Sequence, residues 1–227
     1  MHPSRSKGKC PIFLASCVGA FFCFQQAAAE EFEPVSPGKT ALEMTDGHLR
    51  ASLINGGCEA AFELACNNNE QRSELVSTVS HKSGDRVIYS WDIFIPSEFA
   101  DTPYASLRAT RFLAGDNDPI LYFVLDHQYG YEIGRKTCFG PDGYGKWHSV
   151  EARIIWDETR KKKLSDKTPA EIHVICDNIQ VFSQTGRPNI KEGAKVRAAF
   201  GLTAPLGLPE NGEFWVQYRN IKIESWQ

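Results

Sequence analysis

The stretch Arg72-Ser73-Glu74-Leu75-Val76-Ser77 has the alternating pattern of a β-strand. Successive side chains of a strand point to opposite faces, so Arg72, Glu74 and Val76 should share one face. A guanidinium and a carboxylate side by side on a pleated surface indicate a polar groove rather than a core. We therefore predict a strand whose charged face lines a binding site.

The rest of the chain carries the same kind of signal. No long segment spaces its apolar residues at i, i+3, i+4 and i+7, as a helix would. Segments rich in β-branched and aromatic residues are instead separated by clusters of Gly, Pro, Asn and Asp, and they cover residues 86–95, 120–125, 147–156, 171–182, 195–202 and 214–226. Short strands joined by turns predict an all-β sandwich or barrel.

The first 29 residues have the composition of an export signal. Basic residues at 5, 7 and 9 precede an apolar run over residues 10–24, and Ala27-Ala28-Ala29 offers a cleavage site. The run is shorter than the about 20 residues that a membrane span needs. A lipid anchor on Cys17 is the weaker alternative, because apolar sequence continues beyond it. We expect a secreted or periplasmic protein with no membrane span.

The chain beyond this signal has the length of one domain. Residues 30–44, with Pro34 and Pro37, are predicted to form an extended lead-in, and residues 45–227 a single domain that we expect to be monomeric. Loss of the three basic residues of the signal changes the net charge from −3 to −6. An acidic protein is unsuited to sequence-independent binding of nucleic acid, whereas a local cluster of arginines could still hold an anionic glycan.

Four cysteines remain after the signal is removed: Cys58, Cys66, Cys138 and Cys176. An even number in an oxidising compartment favours disulfides. Four cysteines permit three pairings, of which Cys58–Cys66 is the local one and leaves Cys138–Cys176 to join distant segments. A zinc site is the rival interpretation, but the spacing lacks paired Cys-x-x-Cys motifs.

Arg-Ser-Glu-Leu behind a small cysteine loop resembles the opening of the heparin-lyase-like polysaccharide lyases. Further short matches occur in order along the chain, at residues 84–99, 146–156, 171–182 and 220–224. The resemblance implies a concanavalin A-like β-jelly roll, a sandwich of two antiparallel sheets over residues 45–227. It also implies an acidic polysaccharide as the partner and no cofactor.

The resemblance further implies cleavage of a uronate-containing polysaccharide by β-elimination. A side chain must neutralise the uronate carboxylate while a base removes the C5 proton and an acid protonates the leaving oxygen. Arg72, with Arg111, is the candidate neutraliser, since a guanidinium grips a carboxylate bidentately. Glu74 and Gln128 are further candidates for substrate contact. The family's Gln-x-His and its C-terminal Tyr and Lys have no counterpart in residues 109–112 and 198–205.

A second candidate cluster is the run Asp126-His127-Gln128-Tyr129-Gly130-Tyr131. On an ideal strand His127, Tyr129 and Tyr131 share one face, and an imidazole beside two phenols suits proton transfer. The structural alternative is that these residues cap the core and hydrogen-bond outward.

Two other functions remain open from the sequence. One is a non-catalytic carbohydrate-binding jelly roll, and the other is a glycoside hydrolase, for which Glu74 and Asp126 are the available carboxylate pair. The triplet Asp116-Asn117-Asp118 offers oxygen ligands for a structural calcium ion, although turns use such triplets more often. His81 is expected in a solvated turn.

Overall fold

A computed structural model describes residues 32–36, 38, 41–54, 70–102, 106–115, 118–158, 169–205 and 213–226. These residues form two antiparallel seven-stranded sheets. Sheet A has the strand order β1 (Phe32–Val35), β4 (Glu70–Ser77), β13 (Val196–Pro205), β6 (Ser106–Ala114), β7 (Asp118–Asp126), β8 (Gly130–Ile133) and β9 (Lys136–Phe139). Sheet B has the order β12 (Ile179–Thr185), β11 (Glu171–Cys176), β10 (Trp147–Ile155), β5 (Arg86–Phe94), β14 (Glu213–Ser225), β3 (His48–Ile54) and β2 (Leu42–Thr45).

The two sheets pack face to face as a β-jelly roll, which confirms the predicted fold class. The remaining regular elements of the described residues are two 3₁₀ turns, Ser97–Asp101 and Pro141–Gly143. The predicted lead-in over residues 30–44 supplies β1 at the edge of sheet A and most of β2 at the edge of sheet B.

The core lies between the sheets. It is formed by every second side chain of the strands. In β5 the residues Val87, Tyr89, Trp91 and Ile93 are buried, while the intervening side chains are partly exposed. Trp91 meets Phe123 and Phe200 of sheet A edge to face, with ring centroids 5.3 and 5.5 Å apart. Aromatic pairs of this geometry add to the stabilisation that burial provides. The core therefore ties sheet B to the central strands of sheet A.

A disulfide joins the two sheets at one side of the sandwich. Cys138 of β9 and Cys176 of β11 are bonded, with their Cα atoms 5.4 Å apart, as predicted. Next to them, Gly134 packs so closely against the Phe182 ring that a Cβ at Gly134 would lie 2.7 Å from it. The predicted Cys58–Cys66 pair lies outside the described residues.

His81 is buried, so the expectation of a solvated turn is wrong. Its backbone exchanges two hydrogen bonds with Val196, and its ring packs edge-on against Tyr89 at 5.8 Å. Burial disfavours the charged imidazolium and lowers the pKa of His81, although Asp85, 3.8 Å away, partly opposes this effect.

Replacement of both Cys138 and Cys176 by alanine should lower the free energy of unfolding by about 2–5 kcal/mol. The bridge joins positions 38 residues apart and restricts the unfolded chain accordingly. Urea denaturation of the oxidised protein and of the double variant measures the difference. An unchanged unfolding midpoint would contradict the prediction. Non-reducing peptide mapping of the same sample tests the predicted Cys58–Cys66 bond.

Acidification should destabilise the protein partly through His81. Because its folded-state pKa is lowered from 6.5, the unfolded state binds the proton more readily, and stability is lost as pH falls below about 6.5. We expect His81→Phe to lose less stability than the unmodified protein between pH 7.5 and pH 5.5. Urea denaturation at both pH values measures this, and equal losses in the two proteins would assign the pH dependence to other groups.

Candidate functional site

The outer face of sheet A, turned away from the core, carries a row of polar side chains. Strand register places Arg72 opposite Thr203, and Thr203 opposite Arg108. The row continues through Val124 to Glu132. The predicted alternation in β4 is confirmed, since Leu75 packs against the main core while Val76 belongs to a separate apolar cluster with Leu113 and Ala199.

A β-bulge in β6 brings its arginines together. Against β7, Arg108 pairs with Val124 and Thr110 with Phe123, so Ala109 is an extra residue of β6, and the pairing of β6 with β13 shifts at the same place. Ala109 and Thr110 consequently both face the core, where the hydroxyl groups of Tyr131 and Tyr218 meet Thr110. Arg108 and Arg111 then share the outer face, although they are three residues apart.

Gly201 lies at this bulge, directly opposite Glu74. A Cβ there would collide with the carbonyl oxygen of Ser73 and lie 2.7 Å from the Cα of Glu74, and the φ of Gly201 is 150°. Only glycine allows β13 to approach β4 this closely. The approach brings Thr203 within reach of the Glu74 carboxylate.

Glu74 is the centre of a buried ion-pair network. Its carboxylate accepts hydrogen bonds from Arg72 Nε at 2.9 Å, from Arg111 Nε and Nη2 at 2.6 Å each, and from Thr203 Oγ1 at 2.9 Å. Glu74 and Arg111 are each 1% exposed and Arg72 is 6% exposed. Burial alone would raise the pKa of Glu74, but Arg111 and Arg72 outweigh it and lower that pKa.

Where the sequence predicted a polar groove, Arg72 and Glu74 are buried and bind each other. Arg72 and Arg111 converge on the same carboxylate beneath the outer face of sheet A. Guanidiniums that are held in place in this way contribute to the electrostatic potential that an anion meets at this face.

Arg108, Glu70 and Tyr122 form the accessible part of this face. Arg108 Nη1 lies 2.6 Å from Glu70 Oε1, and its guanidinium lies over the Tyr122 ring, 5.1 Å from the centroid. The Arg108 side chain is 37% exposed, and Tyr122 lies opposite Arg111 in register. Sequence reasoning missed all three residues. The alternation within residues 120–125 was the available signal for Tyr122.

The structure separates the residues of the second predicted cluster. β7 ends at Asp126 and β8 begins at Gly130, so residues 127–129 form a hairpin turn, and the prediction that His127, Tyr129 and Tyr131 share one strand face is wrong. Tyr129 is 63% exposed at the turn. Tyr131 points into the core instead.

The contacts of Tyr131 are those of a core residue. Its ring stacks between Phe123 and Phe139, with centroids 5.0 and 5.3 Å away, and its hydroxyl donates to Thr110 Oγ1. Burial raises the pKa of Tyr131 well above 10, which keeps the phenol protonated.

Asp126 organises the turn. Its Oδ1 accepts hydrogen bonds from the backbone N–H groups of Gln128 and Tyr129, and its side chain lies 3.9 Å from His127 Nδ1. Asp126 and Glu74, the pair considered for a hydrolase, are thus both engaged in internal hydrogen bonds. Gln128 is exposed at the tip of the turn.

No group of three or more potential metal ligands occurs among the residues that the structure describes. Of the triplet considered for calcium, Asp118 pairs with Lys191 at 2.6 Å, while residues 116 and 117 lie outside the described part. In that part of the chain, no helix is long and apolar enough to cross a membrane.

The outer face of sheet B carries an aromatic row whose rings are already partnered. Phe94 lies between Trp147 and Trp215, with centroid distances of 5.6 and 5.9 Å. Arg219 covers the Trp147 ring at 4.2 Å, and Arg50 covers the Trp215 ring at 4.7 Å. These arginines lie over separate indole rings, whereas Arg72 and Arg111 of sheet A converge on one carboxylate beside Arg108, so sheet A is the better candidate for binding an anion.

Known structures with the same fold include enzymes that degrade acidic polysaccharides. The chain matches an endo-β-1,4-glucuronan lyase from the fungus Trichoderma reesei with a TM-score of 0.58, at 14% identity over 85% of each chain. It matches a mutant of the alginate lyase Aly36B in complex with an alginate trisaccharide with a TM-score of 0.57, at 13% identity over 89% of this chain and 92% of that chain.

A sialidase also matches, with a TM-score of 0.54 and 11% identity over 88% of this chain but only 17% of the sialidase. Neither a protein-family model nor a curated protein sequence matches the chain. At identities this low, the likeness shows the fold alone. Membership of the heparin-lyase-like family therefore stays a prediction.

Replacement of Glu74 by Gln should destabilise the protein by about 3–5 kcal/mol, because it removes the buried carboxylate that both Arg72 and Arg111 bind. The matched control is Glu213→Gln, which removes the exposed Arg50–Glu213 pair of sheet B and should cost less than about 1 kcal/mol. Urea denaturation measures both. Equal losses would show that the Glu74 network contributes no more than a surface ion pair.

Proposed function

We propose that this protein binds an acidic, uronate-containing polysaccharide across the outer face of sheet A and cleaves it by β-elimination. The observation that carries the proposal is the grouping of Arg72, Arg108 and Arg111 on one sheet face around a buried carboxylate. The fold that presents these arginines is shared with lyases of glucuronan and alginate.

Arg72, Arg108 and Arg111 converge around Glu74 and Glu70, which brings to one place the cationic groups that the reaction requires. The C5 proton of a uronate becomes acidic enough to remove only when its carboxylate is neutralised and the enolate-like charge is stabilised. Arg108 is exposed and can contact the carboxylate directly, while Arg72 and Arg111 are buried beside it and add their charges. Because Glu74 holds Arg111 through two donors, the cations need little reorganisation during the reaction.

Tyr122 is the best-placed proton-transfer group on this face. Its phenol is partly exposed, it lies beside Arg108, and it is opposite Arg111 in register. His127 and Tyr129 at the β7–β8 turn remain candidates for the second proton-transfer step. Tyr131 is no longer a candidate for proton transfer, because it is buried between the sheets.

Binding without cleavage is the second candidate function, and a specific observation favours it. Arg72 and Arg111 are engaged by Glu74, and the described residues of β4, β6 and β13 include no histidine to act as a base. Under this alternative, Arg108 and Tyr122 would hold a uronate by charge and ring stacking alone.

The export signal predicted for residues 1–29 fits a protein that meets polysaccharides outside the cytoplasm. We therefore propose a secreted or periplasmic location and a monomeric state. Mass determination of the exported protein would test cleavage after Ala29, and size-exclusion chromatography with light scattering would test the monomer.

Elimination creates a C4–C5 double bond that absorbs ultraviolet light, so it can be followed directly. Incubation with glucuronan, alginate and glycosaminoglycans should give rising absorbance for one class of substrate. Tyr122→Phe should then lower the rate by about 100-fold or more, the usual scale for loss of a general acid or base.

Glu213→Gln on sheet B serves as the control and should leave the rate unchanged. If absorbance does not change but calorimetry detects binding of one of these polymers, the lyase proposal is wrong and binding without cleavage is supported. Full activity in Tyr122→Phe would exclude Tyr122 from proton transfer and indicate His127 or Tyr129 of the β7–β8 turn instead.

A further inference from the structure

Arg111 has one donor group that no carboxylate satisfies. Its Nε and Nη2 are held by Glu74, while Nη1 is buried and without a hydrogen-bond partner. The nearest carboxylate oxygen recorded for Nη1 is Glu70 Oε2 at 3.6 Å, too far for a hydrogen bond. A buried guanidinium donor left unpaired is costly, so this position favours an incoming acceptor.

Glu70 spans the gap between two arginines. Its other oxygen, Oε1, lies 2.6 Å from Arg108 Nη1, so a single carboxylate reaches one guanidinium closely and the other only at long range. Glu70 is the first residue of β4, and its side chain is 28% exposed. Because Glu70 is already partly exposed and makes fewer internal hydrogen bonds than Glu74, its side chain can move into solvent more easily.

The orientation of Arg111 is fixed independently of Glu70. Two of its donors bind Glu74 at 2.6 Å, and the residue is 1% exposed. Nη1 is consequently presented toward Glu70 and Arg108 whether or not Glu70 is there. Donors that are pre-positioned in this way bind an anion with little loss of conformational entropy.

We propose that Arg108 and Arg111 form a subsite for the carboxylate of one uronate residue, and that Glu70 occupies this subsite in the free protein as an internal competitor. A uronate carboxylate would displace Glu70, take over the contact with Arg108 and supply the acceptor that Arg111 Nη1 lacks. The exchange replaces one carboxylate by another, so the charge of the network is preserved. This inference rests on the proposed preference for uronate polymers, which it refines to two named arginines.

The competition predicts that loss of the Glu70 carboxylate frees the subsite at Arg108 and Arg111. A uronate ligand should then bind more tightly. Calorimetry would use tetrasaccharides of glucuronan and of alginate, with cellotetraose as the neutral comparison. Glu70→Gln should bind a uronate tetrasaccharide about tenfold more tightly if Glu70 fills the subsite about nine-tenths of the time. Cellotetraose should show no such gain.

Two further variants separate the subsite from a general charge effect. Glu213→Gln removes an Arg–Glu pair of similar length, 2.8 Å, on the opposite sheet and should leave affinity unchanged. The double variant Glu70→Gln/Arg108→Gln should lose the gain, because the subsite then lacks its accessible cation. Near-ultraviolet circular dichroism verifies folding, and Glu70→Asp, which keeps the charge but shortens the reach, supports the same conclusion with a smaller gain.

Unchanged or weaker uronate binding in folded Glu70→Gln would overturn the inference, and so would the absence of binding to either tetrasaccharide in every variant. The test of the subsite can be separated from the test of the lyase proposal. Ultraviolet-detected cleavage without a gain in Glu70→Gln refutes the internal competitor alone. A gain without any cleavage supports the subsite and refutes elimination.

Discussion

The burial of the Glu74 carboxylate is the constraint on which the candidate site depends. An ionised carboxylate that is 1% exposed requires counter-charges and hydrogen bonds on every side. Here they come from three adjacent strands: Arg72 from β4 itself, Arg111 from β6 and Thr203 from β13. A shift in register of any one strand would leave a buried charge unpaired, so the network and the strand alignment specify each other.

This arrangement divides the arginines around Glu74 into two kinds. Arg72 and Arg111 are immobilised in the network and supply a constant charge, while Arg108 remains exposed and pairs with Glu70. Sheet B uses its arginines differently, because Arg50 and Arg219 lie over indole rings of their own sheet. The two outer faces of the sandwich therefore contain similar residue types, but on sheet A two guanidiniums converge on one buried carboxylate, whereas Arg50 and Arg219 of sheet B pair with separate acids, Glu213 and Asp92.

Segments rich in β-branched and aromatic residues between turns were sufficient to predict the longer strands, and alternation predicted the shared face of Arg72 and Glu74, whereas the two-sheet sandwich was what the family resemblance implied. Alternation has its limits. It failed where the backbone departs from regular pleating. The bulge at Ala109 places Arg108 and Arg111 on one face, and the turn after Asp126 sends Tyr131 to the core. The bulge depends on how β6 pairs with both of its neighbours, of which β13 is distant in sequence. The turn is a local hairpin, but the residues that form it also suit a continuous strand. The closure of the site was equally unpredictable, because burial of a charged pair depends on what packs above it.

The Cys138–Cys176 bond has a consequence for how the sandwich can open. The two cysteines belong to β9 of sheet A and β11 of sheet B, and their Cα atoms are 5.4 Å apart. The two sheets cannot separate at this side of the molecule while the bond is intact. Any partial opening of the oxidised sandwich therefore leaves β9 and β11 joined, and it has to pivot about this side.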